Sequence, residues 1–313
     1  METEITASQL FEAAIEAYLK KRGIPDVYAD RDFEGEVFTM QDLRDRIRKM
    51  YREGVPSGEN PGWGKLEPLY RPSRGQWSVV TGIPRHGKSE WLDALLVNLI
   101  KKSGWKIGMY SPENHPLEYH TKKLIEKFSG WPLSEGPTER LSESDLDFCL
   151  NSLEDKLFLL DPEDGHLTVD AMLEMARYLK LRKGIDGFVI DPWNELDHTR
   201  PPYETETDYI ARQLTKIRRF ARKENIHVWI VAHPAKLYRD KEGKYPVPTL
   251  YDISGSAHWA NKSDFGIVIW RDLNEQYSST QVHVQKCRFR WFGQIGMCEL
   301  NWEPVCGTYS DAR

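Results

Sequence analysis

"VVTGIPRHGKSEWLDALL" spans Val79–Leu96. Its apolar start reads as a strand, its middle as a glycine-rich turn, and its end as a helix with apolar residues on one face. Gly82, four residues, Gly87, Lys88 and Ser89 fit G-x-x-x-x-G-K-[ST], between the strand and helix that give this motif its meaning. Glycines let backbone amides curl around phosphate oxygens. The candidate cradle is Gly82, Ile83, Pro84, Arg85, His86, Gly87, Lys88 and Ser89. Lys88 would reach the β- and γ-phosphates of ATP or another nucleoside triphosphate, and the Ser89 hydroxyl would hold Mg²⁺.

Working outward, short apolar runs recur at 77–80, 106–111, 157–160, 187–191 and 227–232. Helix-like patterns at about 88–102, 116–128, 167–182 and 205–224 separate them. Continuous apolar runs alternating with helices predict βαβ units around a buried, mainly parallel sheet. Further runs at 265–270, 282–286 and 295–300 have no helix between them, so an antiparallel extension at one edge is expected.

Ahead of this region, 7–22 reads as an amphipathic helix and 38–54 as a second, with Thr39 as N-cap and Gly54 as stop. "VPSGENPGWG" is turn-rich and reads as a linker. The expected division is a helical extension and linker over 1–60, a main domain over 61–305 and a tail over 306–313. The chain has 313 residues, a formal charge of −5 and 29% charged residues. It has no apolar run near the roughly 18 residues a membrane span needs. Its acidic start lacks the marks of a secretory signal. Cys149, Cys287, Cys298 and Cys306 lack zinc or CxxC spacing and read as reduced thiols. These features predict a cytoplasmic protein without a membrane partner, in a prokaryotic or phage-infected cell, with a mitochondrial setting left open. The near-neutral balance requires any nucleic-acid surface to be local.

Two carboxylates join the phosphate loop. "GFVIDPWNEL" ends an apolar run in Asp191, where α/β sheets bind ligands, and Asp191 would assist Mg²⁺ directly or through water. Glu113, in "MYSPENH", follows the second strand, where a carboxylate can polarise an attacking water. Near the other end, "HVQKCRFRWFGQIG" (283–296) poses a puzzle. Strict alternation puts Lys286, Arg288 and Arg290 on the face of Val282 and Val284, and lines up three cations there.

The ordered set "GIPRHGKS", "SPEN", "VIDPWN", "IVAHPAK", "DISGSAHWANKSD" and "KCRF" resembles the RecA-like motor domain of ring-shaped replicative helicases, the DnaB family. Twinkle and phage primase-helicases belong to that family and look closest in motif. The resemblance spans about residues 60–305. It implies an α/β fold: a RecA-like P-loop NTPase core, a mainly parallel sheet flanked by helices, C-terminal antiparallel strands and N-terminal linker helices. It implies an ATP-driven (or other NTP or dNTP) DNA helicase, moving 5′ to 3′ on single-stranded DNA as a hexameric homo-oligomer, with a primase or replisome partner.

By position, Glu113 matches the catalytic glutamate, His233 the γ-phosphate sensor, and Arg271 a residue that packs on the base. Lys286 and Arg288 match a paired K-x-R that projects into the neighbouring subunit's nucleotide, which would leave them needing no carboxylate of their own chain. Two loops would face DNA: 234–256, with Lys236, Arg239, Lys241 and Lys244 for phosphates, and Ser254, Gly255, Ser256 and Ala257, expected to offer exposed amides. The helix at 39–53, with Leu43, Ile47, Met50 and Tyr51 as its apolar stripe, would clasp the adjacent subunit. A RecA-like regulatory ATPase or a repair filament would share the core, but the K-C-R-F pattern favours the helicase.

Overall fold

The computed structural model describes residues 7–23, 35, 37–162, 167–273 and 279–312. The chain forms two compact units, 1–56 and 57–313. In the first, α1 (Ala7–Arg22) and α2 (Met40–Glu53) follow the expected helices. Residues 24–34, between these helices, lie outside the described residues. Thr39 caps α2 through a reciprocal capping box with Asp42, which satisfies amide groups that helix geometry leaves open. No residue of α2 is buried within the chain. Ile47 and Tyr51 are exposed, while Leu43 is half-buried.

The second unit is built on β1 (Trp77–Thr81), whose five residues are all buried. Beside it lie β2 (Ile107–Tyr110), β3 (Leu157–Leu160), β4 (Gly187–Ile190), β5 (His227–Val231) and β6 (Phe265–Arg271). The edge is made by β7 (Thr280–Cys287), β8 (Gly296–Trp302) and β9 (Tyr309–Asp311). Among the described residues the order is β3-β2-β4-β5-β1-β6-β7-β8-β9. Pairing is parallel through β6 and antiparallel beyond it. The expected mixed sheet is present, and it continues past residue 305, where β9 pairs with β8.

One face of the sheet carries α3 (Lys88–Ser103), α4 (Leu117–Ser129) and α5 (Glu143–Leu153). The other carries α6 (Val169–Lys183), α7 (Glu206–Glu224) and α8 (His258–Lys262). Alternate strand residues serve the two cores: Val80, Val189 and Val231 point to the first, Val79, Ile190 and Ile230 to the second. This two-sided burial explains the unbroken apolar runs. A buried polar chain also crosses the sheet. Trp229 Nε1 donates to Tyr70 Oη at 2.8 Å, Tyr70 pairs with Ser78 Oγ at 2.9 Å, and Ser78 Oγ pairs with His227 Nε2 at 2.8 Å. His227 Nδ1 meets the Ser73 carbonyl at 2.7 Å. All four cysteines are free.

Strict alternation fails in β7. Gly266 pairs with Lys286 and Ile267 with Val284, so Gln285 is an extra residue, a β-bulge. Its side chain is anchored, accepting from Leu250 N at 3.1 Å and donating to Pro248 O at 2.8 Å. The bulge reverses the phase of the residues after it. Cys287 and Phe289 join Val282 and Val284 against the α3-side core, while Lys286 and Arg288 turn to α8 on the other face. The three cations therefore do not share the valine face, and Arg290 lies in the turn after the strand.

Candidate active site

The phosphate loop leaves β1 through Gly82 at φ 152°, where an added Cβ would lie 2.2 Å from the Ile269 carbonyl. Arg85 at φ 71° and Gly87 at φ 90° complete the left-handed bends that wrap the loop over the start of α3. His86 is buried, and its Nδ1 accepts from the Arg271 amide at 3.1 Å. Burial, then Lys88, pushes its imidazole down to about 4, so it is neutral near pH 7.

Lys88 is buried with its ammonium donating to the Ile83 carbonyl at 3.3 Å. Burial pulls it down to about 8, against the upward pull of Asp191 and Glu113. Asp191, at the end of β4, is buried and hydrogen-bonded to Ser89; burial raises its carboxyl to about 6. A hydroxyl beside a desolvated carboxyl is an oxygen donor pair that fits Mg²⁺, which keeps several other positions for phosphate and water. These two side chains would hold it.

A cleft of about 480 Å³ opens over these groups, lined by Pro84, Arg85, Lys88, Ser89, Glu113 and His233 among others. Glu113 sits in a short 3₁₀ turn after β2, and His233 follows β5. Their Oε1 and Nε2 atoms are 4.0 Å apart. His233 is pushed down by burial and by Lys88, so a neutral imidazole faces the cleft. The fold thus brings together Gly82–Ser89, Asp191, Glu113 and His233, which are far apart in sequence. Arg271 is tied to the loop by its amide, and its guanidinium lies 5.1 Å from the Trp302 ring centroid.

Lys286 and Arg288 lie elsewhere. Lys286 Nζ donates to the Ala260 and Asn261 carbonyls. Arg288 does have a carboxylate partner in its own chain: Nε meets Asp264 Oδ1 at 2.7 Å. Asp264 also accepts from the amide of Trp77 at 3.3 Å, at the first residue of β1. The phosphate loop begins beyond the last residue of β1, a strand length of about 13 Å away at about 3.3 Å per residue.

In the 234–256 loop, Lys236 lies over Tyr238 at 5.7 Å and Arg239 over Tyr245 at 4.7 Å, while Lys241 is exposed. Lys244 is ion-paired with Asp272 at 2.7 Å, and Trp270 Nε1 donates to Tyr245 O. This part of the loop is anchored beside His86, whose ring centroid is 6.4 Å from that of Tyr245. Of the four amides over 254–257, that of Ser254 is bonded within its own chain. Ser254 N donates to the His233 carbonyl, His258 N donates to Ser256 Oγ, and Ser256 is buried; Ala257 remains exposed. Gly255 O accepts from Thr207.

Sequence reading missed a charged network behind the cleft. Glu90 takes Lys123 and Lys127, each at 2.6 Å, and Lys123 reaches Asn114, next to Glu113, at 3.1 Å. The i,i+4 spacing of the two lysines on α4 was the available signal. Tyr309 was also missed: its hydroxyl lies 3.3 Å from where a Cβ on Gly87 would stand.

A buried lysine and a serine–aspartate pair under a glycine cradle define a phosphate-loop nucleotide site in a mixed α/β sheet. The DnaB-like helicase C-terminal domain matches residues 71–311, and the chain belongs to that family. It is 41% identical over 286 residues to the Arabidopsis thaliana Twinkle homolog protein, chloroplastic/mitochondrial, covering 88% of this chain and 40% of that protein. It is 24% identical over 246 residues to a probable plasmid replicative DNA helicase of Chlamydia psittaci, covering 76% and 50%. The chain thus spans half or less of these relatives' lengths. In fold it is similar to a solved ATPase domain (TM-score 0.72, 16% identity, 88% of this chain and 100% of that one). A DnaB-like replicative helicase studied with primase gives a TM-score of 0.69 at 16% identity, over 98% and 74%.

Proposed function

We propose that this chain is the motor domain of a replicative DNA helicase that hydrolyses ATP or another nucleoside triphosphate and moves 5′ to 3′ on single-stranded DNA as a hexameric ring. The reading rests on one observation above all. In a chain of this family, the cleft gathers Lys88, Ser89, Asp191, Glu113 and His233 at one end of β1, while Lys286 and Arg288 stand at the other.

Lys88 and the loop amides bind the β- and γ-phosphates. Ser89 and Asp191 would hold Mg²⁺, which when bound would supply positive charge against the phosphates. Glu113 orients the attacking water and takes its proton as the bond to the leaving oxygen breaks. His233, neutral, donates its one N–H toward the γ-phosphate. Arg271, beside the loop, packs on the base. Lys286 and Arg288 cannot serve the nucleotide of their own chain across the length of β1, so they act on a neighbour's, where a cation in trans accelerates phosphoryl transfer. Lys236, Arg239 and Lys241 track DNA phosphates, with Lys244 holding the loop in place.

Ring closure uses α2. A groove of about 530 Å³ between α3, α4 and α5 is lined by Phe128, Trp131, Leu141 and Phe148, with Lys101, Asp145 and Lys156 beside them. It fits the apolar stripe of α2 from another copy. Primase remains the expected partner. The compartment is one with replicating DNA, either a bacterial cytoplasm or an organelle.

A forked-DNA unwinding assay with matched 5′ and 3′ tails, run beside particle imaging, tests the reading. Unwinding that needs a 5′ tail, together with closed rings, is the expected result. DNA-independent hydrolysis without unwinding would instead support a regulatory ATPase.

A further inference from the structure

Lys286 and Arg288 are part of a larger cationic cluster. Lys262, at the end of α8, extends to α7, where Nζ donates to Ala211 O at 2.7 Å and Thr215 Oγ1 at 2.5 Å. Ala211, Thr215 and Arg218 lie at i, i+4 and i+7, so they form one stripe of α7. Arg218 therefore stands on the same stripe, one turn beyond the Lys262 ammonium. From the other side, Lys286 and Arg288 bond to the carbonyls of the same α8 end, Ala260 to Ser263. Cations from three elements thus surround one helix terminus.

Their own chain offsets little of this charge. The helix-end carbonyls and Asp264 occupy Arg288 and Lys286, and α7 occupies Lys262. Arg218 differs: its Nε is buried and has no hydrogen-bond partner among the described residues. A buried, unbonded guanidinium donor is costly. Crowding it beside like charges adds to the cost. Lys286 records the strain, pushed down to about 8 by burial, then by Arg288, with Arg218 contributing; Lys262 is lowered by burial and by Arg218. A multivalent anion from outside the chain would relieve both costs.

We propose that Arg218 is a third cation presented in trans, binding the phosphates of the neighbouring subunit's nucleotide beside Lys286 and Arg288. The inference rests on the ring reading above. Lys262 is the brace that joins α8 to α7 and fixes the spacing of the cluster. Arg218 and Arg288 then divide the work: Arg288 stays partly held by Asp264, and Arg218 supplies a guanidinium whose Nε its own chain leaves unbonded.

The test uses the full chain with Arg218→Ala, Arg218→Met and Arg218→Lys, the methionine keeping the apolar stem so that packing loss is separated from charge loss. Under saturating single-stranded DNA, Ala and Met should each lower kcat by about 100-fold, the lower end of the range for losing one charge-stabilising donor. Circular dichroism and nucleotide binding should stay close to the parent, and Lys should recover part of the rate. Mixing Arg218→Ala with Lys88→Ala should restore turnover, because an intact loop then meets an intact Arg218. Folded Ala and Met variants with unchanged kcat would overturn the proposal. So would failure of Arg218→Ala to be rescued by Lys88→Ala where Arg288→Ala is rescued, which would leave the ring reading standing. If neither arginine variant is rescued in mixed particles shown to assemble, the trans reading fails and this proposal with it.

Discussion

Glu113 and His233 face each other across 4.0 Å at the mouth of the cleft, one acidic and one held neutral by burial. Atoms that far apart can share one hydrogen-bonded oxygen, set to the side of the line between them at about 2.8 Å from each. Exchanging Glu113 for Gln keeps the shape and removes the proton acceptor. We expect nucleotide affinity within a few-fold of the parent and hydrolysis slower by about 10²–10⁴, the usual contribution of a general base. Fluorescent-nucleotide titration and single-turnover hydrolysis check the two halves separately. Equal rates would make Glu113 an ordinary loop acid.

Among the elements, the 234–256 loop changes most between sequence and structure. Its lysines read as equivalent in the sequence, because spacing cannot tell an anchored cation from a free one. Lys244 is committed to Asp272, whereas Lys236 and Lys241 are exposed. Reversing Lys236 and Lys241 to Glu should therefore flatten the salt dependence of DNA binding, by about one in log–log slope for each lost phosphate contact. Lys244→Glu should instead release the loop from the phosphate loop and disturb hydrolysis without DNA. Filter binding across a salt series, with DNA-free turnover, separates these outcomes.

The strands and long helices were legible because burial on both faces writes continuous apolar runs. Helix α5 and strand β9 were not, since α5 buries only Cys149 and Leu153 and β9 is three residues long. The phosphate loop was legible as a local motif. The engagement of the Ser254 amide by His233, and the Arg288–Asp264 pair, depend on contacts distant in sequence.

For the whole molecule, stability is linked to pH through the polar chain across β1 and β5. His227 is fully buried, and burial pulls it down to about 3 from 6.5 in the open chain. The unfolded state then binds the extra proton, so this stabilisation is complete above about pH 6.5 and is lost as pH falls toward 3. Asp191 is raised and acts with the opposite sign, its contribution being lost as pH rises through about 6. We expect His227→Gln to lower Tm at pH 7 and to flatten the fall in Tm between pH 6.5 and 4, relative to the parent. Thermal melts at several pH values provide the check, and parallel curves would remove His227 as the source. Assembly is the other property of the whole. A phosphate loop at one end of β1 and cations at the other suit head-to-tail contacts, which close into rings when the rotation allows. Removing residues 1–56, a separate compact unit, should therefore abolish rings in particle images while leaving nucleotide binding within a few-fold. Persisting rings would place the clasp in the second unit.

The bulge at Gln285 makes the terminal hairpin a counting device. Substitutions along it change one contact each, whereas a change of length acts on phase. Deleting Gln285 would restore strict alternation and keep Lys286 and Arg288 toward α8, removing only the anchor to Pro248 and Leu250. Adding a second residue there would reverse the phase, sending the two cations into the core under α3 and turning Cys287 and Phe289 toward α8. A library of single insertions should therefore show a sharp loss of folded protein between Val284 and Lys286, and deletion of Gln285 a mild one.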